Sequence, residues 1–214
     1  RAERHQLDDL EEDSWCGFGR AHYVIRFSEG PCAVLPGGSP PPAKLRLAAF
    51  GCSGEASQDH VHGRPLQTGA RLWAAGLLLA RLVVEHPLEG QAVMELGCGL
   101  GLTGLAAAQS AAQCILTDVE PGALEAAALN ARYTGGATAE RVKVELLDLR
   151  SLETVHLLAS SCNITVVLGA DLIYGSLTQE EVAQGVRASL PNGGRALLLM
   201  PLRYRPGMDR RGFG

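Results

Sequence analysis

The sequence is poor in aromatic residues and has no excess of positive charge. Phenylalanine, tryptophan and tyrosine make up 5% of the 214 residues, and the formal net charge at pH 7 is -4. A negative chain lacks the electrostatic attraction that drives sequence-independent binding to nucleic acid. We therefore disfavour nucleic acid as a partner.

Long apolar runs are also missing. The most apolar stretch, residues 77–84, is bounded by Arg71 and Glu85 and contains Arg81. It falls well short of the roughly 20 apolar residues that span a bilayer. We expect no membrane partner, and the charged start of the chain shows no secretory signal.

The cysteines lack the spacing of a metal site. None of the six forms C-x-x-C, and the pair His60 and His62 has no third ligand nearby, so we expect no metal. Cys98 and Cys114 fall in predicted strand or glycine-loop positions, where reduced thiols are common. A reducing compartment is favoured, namely the cytoplasm, with the nucleus as a further location.

The first third of the chain reads as an arm followed by a β-hairpin. Residues 1–20 are acidic and irregular, whereas HYVIRF (22–27) and AKLRLAAF (43–50) alternate apolar residues across a Pro/Gly-rich turn. A polar loop follows. We predict that residues 1–66 form this N-terminal arm and hairpin.

The remainder, residues 67–214, predicts an α/β domain. A helix over QTGARLWAAGLLLARLVVE precedes a repeated strand and helix pattern, beginning with QAVMELGCG and ending with the strand GRALLLMPLR. Its core face is predicted from helical spacing as Leu72, Trp73, Gly76, Leu77, Ala80 and Val84. Short apolar strands alternating with helices indicate a parallel sheet with helices on both faces.

The stretch MELGCGLGLTG contains two nucleotide-binding signatures. Read from Gly99 it is the dinucleotide fingerprint G-x-G-x-x-G, and read from Glu95 it is E-x-G-x-G-x-G, a pattern known from S-adenosylmethionine (SAM) methyltransferases. Asp118, at the end of the second strand of the sheet, suits the ribose of either cofactor. The glycines alone do not decide between NAD and SAM.

Three features favour SAM. An unpaired Glu95 carboxylate would be costly inside an apolar strand, and the cationic groups of SAM could offset it, whereas a pyrophosphate would be repelled. Asp148 offers an acceptor suited to an adenine amino group. A whole helix containing Trp73 precedes the glycine strand, although NAD-binding domains usually begin with that strand.

With these features the run from Gln67 to Arg203 resembles the class I, seven-strand SAM methyltransferases. It is most similar to the methyltransferase-like protein-lysine methyltransferases that share D-x-x-Y after the fourth strand, here DLIY from Asp171 to Tyr174. The resemblance implies a Rossmann-like sheet, SAM as cofactor with S-adenosylhomocysteine as product, and a protein substrate presenting a lysine. It implies Asp171 and Tyr174 as catalytic residues. The implied cofactor-binding residues are Trp73, Glu95, Gly97, Cys98, Gly99, Gly101, Asp118, Asp148, Leu149 and Ala170.

Two departures from the family pattern are visible. Leu149 stands where family members often have tryptophan, so the adenine would meet an aliphatic face. A helix and an antiparallel strand pair usually follow the fifth strand, and we find neither before Gly214.

Other acceptors and functions stay open from sequence. Leu172 and Ile173 replace the two prolines typical of enzymes that methylate planar amines, which favours lysine, with histidine, an amino terminus or a small molecule as alternatives. The competing functions are an NAD-type Rossmann oxidoreductase and a non-catalytic SAM-fold binding module.

Overall fold

The computed structural model describes residues 72–174 and 176–200, together with the backbone of five short strands before them. Those strands are β1 (Ala2–Arg4), β2 (Arg20–Ile25), β3 (Leu45–Phe50), β4 (His60–Val61) and β5 (Arg64–Pro65). The predicted boundary at residue 66 lies outside the described residues and stays a prediction.

The N-terminal strands form two small antiparallel sheets. β2 pairs with β3 from Arg20 opposite Phe50 to Ile25 opposite Leu45, which is the predicted hairpin pairing. β1 adds a third strand to this sheet, so the prediction that residues 1–20 are irregular is wrong for Ala2–Arg4. β4 and β5 pair inside the stretch predicted as a polar loop.

Helix α1 (Ala74–Glu85) precedes the main sheet, as predicted, but its buried face differs from the predicted one. The helix buries Ala75, Leu79, Ala80, Val83 and Val84, whereas Trp73 precedes it at the N-cap and is 37% exposed. Leu77 is only partly buried. The predicted helical period is therefore correct. The predicted buried face is rotated about the helix axis from the observed one, because the prediction places Trp73 in the core.

Five parallel strands alternate with helices in the rest of the described chain. In chain order these elements are β6 (Ala92–Leu96), α2 (Leu102–Ala107), β7 (Gln113–Asp118), α3 (Pro121–Thr134), α4 (Gly136–Glu140), β8 (Val142–Leu146), α5 (Leu152–Ser161), β9 (Val166–Ala170), α6 (Gln179–Ala188) and β10 (Arg195–Leu199). The spatial order of the strands is β10-β9-β6-β7-β8. The predicted α/β class, with a Rossmann-like parallel sheet, is confirmed.

The strand residues alternate between two cores, one on each face of the sheet. Val93, Cys114 and Leu116 pack with α1, α2 and α3, whereas Met94 and Ile115 pack with α5 and α6. Central strands buried on both faces explain why their sequences are continuously apolar rather than alternating.

Two helices were missed in the sequence. α4 and α5 fall in segments for which no helix was predicted. α5 carries the signal of a helix, since Val155 and Ala159 are buried one turn apart, but SLETVHLLASS is short and its apolar face is narrow.

Candidate active site

The carboxyl ends of four strands lie at one edge of the sheet. β6 ends at Leu96, β7 at Asp118, β8 at Leu146 and β9 at Ala170, and every pairing between neighbours is parallel. β6 is followed along the chain by β7 on one side, whereas β9 lies on its other side. This change of direction is the switch point at which open α/β sheets bind ligands.

The loop after β6 is built by glycines in the left-handed region. Gly97, Gly99 and Gly101 have φ of 59°, 51° and 78°, and the helix α2 begins directly after Gly101. Side chains other than glycine rarely adopt this conformation without strain. The buried Asn130 of α3 fixes the loop by donating from Nδ2 to the carbonyl oxygen of Leu100 at 2.9 Å.

Glu95 lies beneath this loop rather than open to the crevice. It is 3% exposed, and its Oε2 accepts a hydrogen bond of 2.7 Å from the backbone N–H of Gly104. Burial raises the pKa of Glu95 to about 8, against the opposing effect of the hydrogen bonds from Gly104 and Thr103. The premise that Glu95 would be unpaired without a ligand is therefore wrong, since α2 supplies its partners; its contact with a cofactor stays a prediction.

Asp118 ties the end of β7 to the glycine loop. Its Oδ2 accepts from the N–H of Gly99 at 2.9 Å and its Oδ1 from the N–H of Glu120 at 3.0 Å. Burial raises the pKa of this carboxyl, and the backbone hydrogen bonds from Glu120, Gly99 and Val119 oppose the rise. Each oxygen keeps a further lone pair for a ligand hydroxyl.

Asp148 and Leu149 follow β8, and both have protein partners. The side chain of Arg150 donates to both carboxylate oxygens of Asp148, at 3.0 Å and 2.8 Å. The hydrogen bonds from Arg150 lower the pKa of Asp148, so this group is a carboxylate near neutral pH. Leu149 is partly buried against the core beneath α5 and α6.

The DLIY segment begins in a strained conformation. Asp171 has φ of 56°, is 9% exposed, and donates its backbone N–H to the carbonyl oxygen of Leu199 at 2.9 Å. A left-handed non-glycine residue costs free energy, and such residues cluster at functional sites. A capping role for Asp171 is excluded, because the next helix begins at Gln179 and its cap is Thr178.

The DLIY segment packs directly against the glycine loop. A Cβ added at Gly97 would lie 2.8 Å from Cδ2 of Leu172, which is itself buried. The positive φ of Gly97 favours glycine, and any side chain there would also have to displace the end of Leu172. The two motifs form one structural unit.

Tyr174 stands among three carboxylates. Partial burial raises the pKa of its phenol to about 12, and the charges of Asp118, Glu120 and Asp171 contribute to the rise. Tyr174 is therefore a neutral phenol throughout the physiological pH range. Carboxyls that follow β7 and β9 thus act electrostatically on the same side chain.

The remaining predicted residues differ in their exposure. Trp73 is 37% exposed at the start of α1, and Ala170 is partly buried at the end of β9. Cys98 is 6% exposed between the glycines, and burial followed by the charges of Glu95 and Asp118 raises the pKa of its thiol well above the usual value. Such a thiol is a poor nucleophile.

Several residues that build the site were not predicted. Asn130 and Gly104 anchor the glycine loop and Glu95, and Glu120 places a carboxyl near Tyr174. Asn130 had a detectable signal, because it is a lone amide on the apolar face of GALEAAALNARY. Gly104 is the last glycine of the pattern G-x-G-x-x-G, but that pattern does not predict its hydrogen bond to Glu95, nine residues earlier in the sequence.

Over residues 72–174 and 176–200, no group of three His, Cys, Asp or Glu side chains is arranged to hold a metal ion. The helices in this part of the chain include none long and apolar enough to cross a membrane.

The sequence matches known protein methyltransferases. The family model described as lysine methyltransferase matches residues 60–211. Protein N-lysine methyltransferase METTL21A of Mus musculus is 30% identical over 162 residues, which cover 74% of this chain and 72% of the mouse protein. Protein-lysine N-methyltransferase EEF2KMT of Homo sapiens is 35% identical over 120 residues, 50% of this chain and 36% of the human one.

Solved structures include similar folds. A SAM-dependent methyltransferase from Anabaena variabilis is 22% identical, with a TM-score of 0.43 over 52% of this chain and 45% of that one.

The family match covers the whole parallel sheet, including the glycine loop and the DLIY segment. It does not favour an NAD-type oxidoreductase or a non-catalytic module. The family resemblance seen in the sequence, the predicted class of enzyme and SAM as methyl donor are confirmed. The chain belongs to the lysine methyltransferase family.

Proposed function

We propose that this protein transfers a methyl group from SAM to the side-chain amine of a lysine in a protein substrate, with Asp171 as the residue that receives the amine. The observation that carries this proposal is Asp171 itself. It is a carboxyl group held in a strained left-handed conformation, at the switch point and beside the glycine loop. Helix capping does not explain that conformation, because the next helix is capped by Thr178.

The groups around the crevice fit SAM better than a dinucleotide. The carboxyls of Asp118, Glu120 and Asp171 all lie close enough to Tyr174 to raise the pKa of its phenol. A pyrophosphate beside these groups would meet repulsion, whereas a sulfonium and an ammonium would be attracted. The nearby cation Arg150 is already paired with Asp148.

Each part of the cofactor has a candidate partner. Asp118 would accept hydrogen bonds from the ribose hydroxyls, and the backbone from Gly97 to Gly101 would line the methionine portion. Asp148 would accept from the adenine amino group while Leu149 covers the ring. Trp73, at the start of α1, would complete the surroundings, and Glu95, whose buried carboxyl has a pKa of about 8, would act through its hydrogen bond to Gly104.

SAM supplies a methyl group on a positively charged sulfur, open to in-line attack by a nitrogen lone pair. A free lysine has a pKa near 10.4, so only about one in 2,500 carries that lone pair at pH 7. Asp171 would accept a hydrogen bond from the amine, fix its direction and stabilise the positive charge that the nitrogen gains. The amine's proton leaves to water or to this carboxylate.

Tyr174 would line the path of the lysine. Because its pKa is about 12, it serves as a neutral ring and hydrogen-bond donor and not as a base. An aromatic face beside a cationic amine contributes roughly 0.5 to 2 kcal/mol. We therefore assign it to substrate positioning.

The test is Asp171→Asn, which keeps the shape and tolerates the left-handed backbone but removes the charge. We expect near-normal affinity for S-adenosylhomocysteine by calorimetry, and single-turnover methyl transfer slowed by on the order of 10² or more. Labelled SAM with a cell extract and mass spectrometry of the labelled band identifies the substrate. Glu125→Gln, an exposed carboxyl of α3, is the matched control and should leave both quantities unchanged.

Full activity in Asp171→Asn would remove Asp171 from the reaction. A wild-type protein that binds S-adenosylhomocysteine but labels no protein would instead support a binding module.

We also propose the cytoplasm as the site of action, with the nucleus as a further location. The support is that Cys98, Cys114 and Cys162 are free thiols, as expected for a reducing compartment. Fractionation of cells that express the tagged protein tests this, and recovery from a secretory compartment would contradict it.

A further inference from the structure

Helix α6 carries a buried glycine where it meets the loop after β8. Gly185 lies within Gln179–Ala188, and a Cβ added there would overlap the side chain of Leu149 and lie 3.0 Å from its carbonyl oxygen. Glycine lowers the stability of a helix interior relative to alanine. Its presence at this position therefore has a steric explanation, the close approach of helix and loop.

The loop is held at both of its ends. The N–H of Leu147 donates to the carbonyl oxygen of Asp118 at 2.9 Å, which fixes the loop's start to the end of β7. The N–H of Ser151 donates to the carbonyl oxygen of Asp148 at 2.9 Å. The side chain of Arg150 donates hydrogen bonds to the Asp148 carboxylate. An atom added at Gly185 therefore requires Leu149 and its loop, or α6 itself, to shift.

We propose that Gly185 is a positioning residue, which sets Leu149 and Asp148 at the distance needed to receive the adenine ring. This inference rests on the proposed function, because it takes the loop after β8 as the adenine site. Gly185 itself touches the loop and not the cofactor. A methyl group at position 185 would displace Leu149 and carry the Asp148 carboxylate with it.

The experiment compares two ligands that differ only at the adenine amino group. One is S-adenosylhomocysteine, and the other is its inosine analogue, in which a carbonyl oxygen replaces the amino group. Asp148 accepts from the first and is repelled by the second, so the ratio of the two dissociation constants reports the position of its carboxylate. We expect the wild-type protein to prefer S-adenosylhomocysteine by about tenfold or more.

In Gly185→Ala we expect that preference to fall by about tenfold, towards no discrimination. Gly122→Ala is the matched control, since a Cβ at Gly122 meets nothing within 4 Å and its backbone is helical. It should retain the wild-type ratio. Adding Leu149→Ala to Gly185→Ala removes the overlapping side chain and should restore discrimination, although the affinity for both ligands falls.

A second readout does not depend on the cofactor. Hydrogen exchange at the amides of Leu147 and Ser151 should accelerate in Gly185→Ala, and recover in the double variant, while the amides of β6 stay protected. Unchanged discrimination and unchanged exchange in Gly185→Ala would overturn the inference, as would a loss that Leu149→Ala does not rescue. A wild-type protein that fails to discriminate would count against the adenine assignment of Asp148, and the exchange measurement would then decide the role of Gly185.

Discussion

Glu95 is a carboxyl group buried in the central strand of a parallel sheet, and its protonation is coupled to folding. Its surroundings are the N–H of Gly104, the hydroxyl of Thr103, the carboxyl of Asp118, and the buried thiols of Cys98 and Cys114. Burial raises its pKa from 4.5 to about 8. The folded protein therefore binds a proton there that the unfolded chain releases at neutral pH.

The sign of the pH dependence follows from this linkage. The stability that the neutral form contributes is fully present below pH 4.5, and is lost as the pH rises towards 8. We expect the Tm of the cofactor-free protein to fall by at least about 3 °C from pH 5 to pH 8. Differential scanning calorimetry measures it.

Glu95→Gln is the matched variant, since its amide oxygen can still accept from Gly104 and carries no titratable proton. It should show a smaller slope of Tm against pH. The burial of Asp118 acts in the same direction and leaves a residual slope. An identical slope in Glu95→Gln would show that Glu95 does not bind the proton.

The carboxylate of Asp118 is predicted to contribute to cofactor binding. Asp118→Ala removes a charged acceptor for ribose and also frees the N–H of Gly99. We expect S-adenosylhomocysteine to bind about 1.5 to 3 kcal/mol more weakly by calorimetry. Glu125→Ala on the adjacent helix removes the same charge from an exposed position and should leave binding unchanged. An unaltered affinity in Asp118→Ala would show that Asp118 does not bind the ribose, and Glu120 would be the next candidate.

Sequence patterns located these residues but not their partners. The position of Glu95 inside MELGCG marked it as unusual, yet its hydrogen bond to Gly104 depends on how α2 turns back over β6. The pairing of Asp148 with Arg150 was likewise not foreseen. Such contacts arise from side-chain geometry, which residue type and spacing do not specify.

At the scale of elements, α6 has the best-defined beginning of the described helices. The hydroxyl of Thr178 accepts from the N–H of Glu181 at 3.2 Å, and the Glu181 carboxylate accepts from the N–H of Thr178 at 2.8 Å. This reciprocal capping box satisfies two backbone donors. It fixes the start of the helix that also carries Gly185.

Thr178→Ala should lower the free energy of unfolding by about 1 kcal/mol, because one backbone donor loses its partner. That corresponds to a Tm lower by roughly 3 °C in a chain of this size. Ser151→Ala is the control, since Ser151 occupies the N-cap of α5 without a side-chain capping bond. Equal losses of stability in the two variants would argue against the capping box.

The predictability of elements followed the strength of their periodicity. β6, β7 and β9 are buried apolar runs and β10 is a partly exposed one, and the sequence predicts all four correctly together with the turn at Gly193 and Gly194. The short α5 was missed, because two buried residues give a weak helical signal. The buried face of α1 was misassigned, because an exposed Trp73 cannot be told from a buried one by spacing alone.

At the scale of the whole molecule, strand order places the functional loops together. DLIY begins at Asp171, 74 residues after Gly97 in the sequence. Leu172 of this segment nevertheless packs on that glycine. The sequence could predict this meeting only through the general rule that parallel strands share a carboxyl edge. This rule predicts the position of the crevice. The contact between the two motifs can be seen only in the folded structure.

The central claim concerns where the methyl group goes. The most direct measurement incubates the protein with SAM carrying a labelled methyl group and a cell extract, hydrolyses the labelled protein band, and identifies the methylated amino acid. We expect the label to be recovered as methyllysine, together with S-adenosylhomocysteine as product. We expect Asp171→Asn to lower the yield of both products. Recovery of the label on another amino acid would contradict the proposed acceptor. Absence of transfer by a protein that binds S-adenosylhomocysteine would contradict its role as an enzyme.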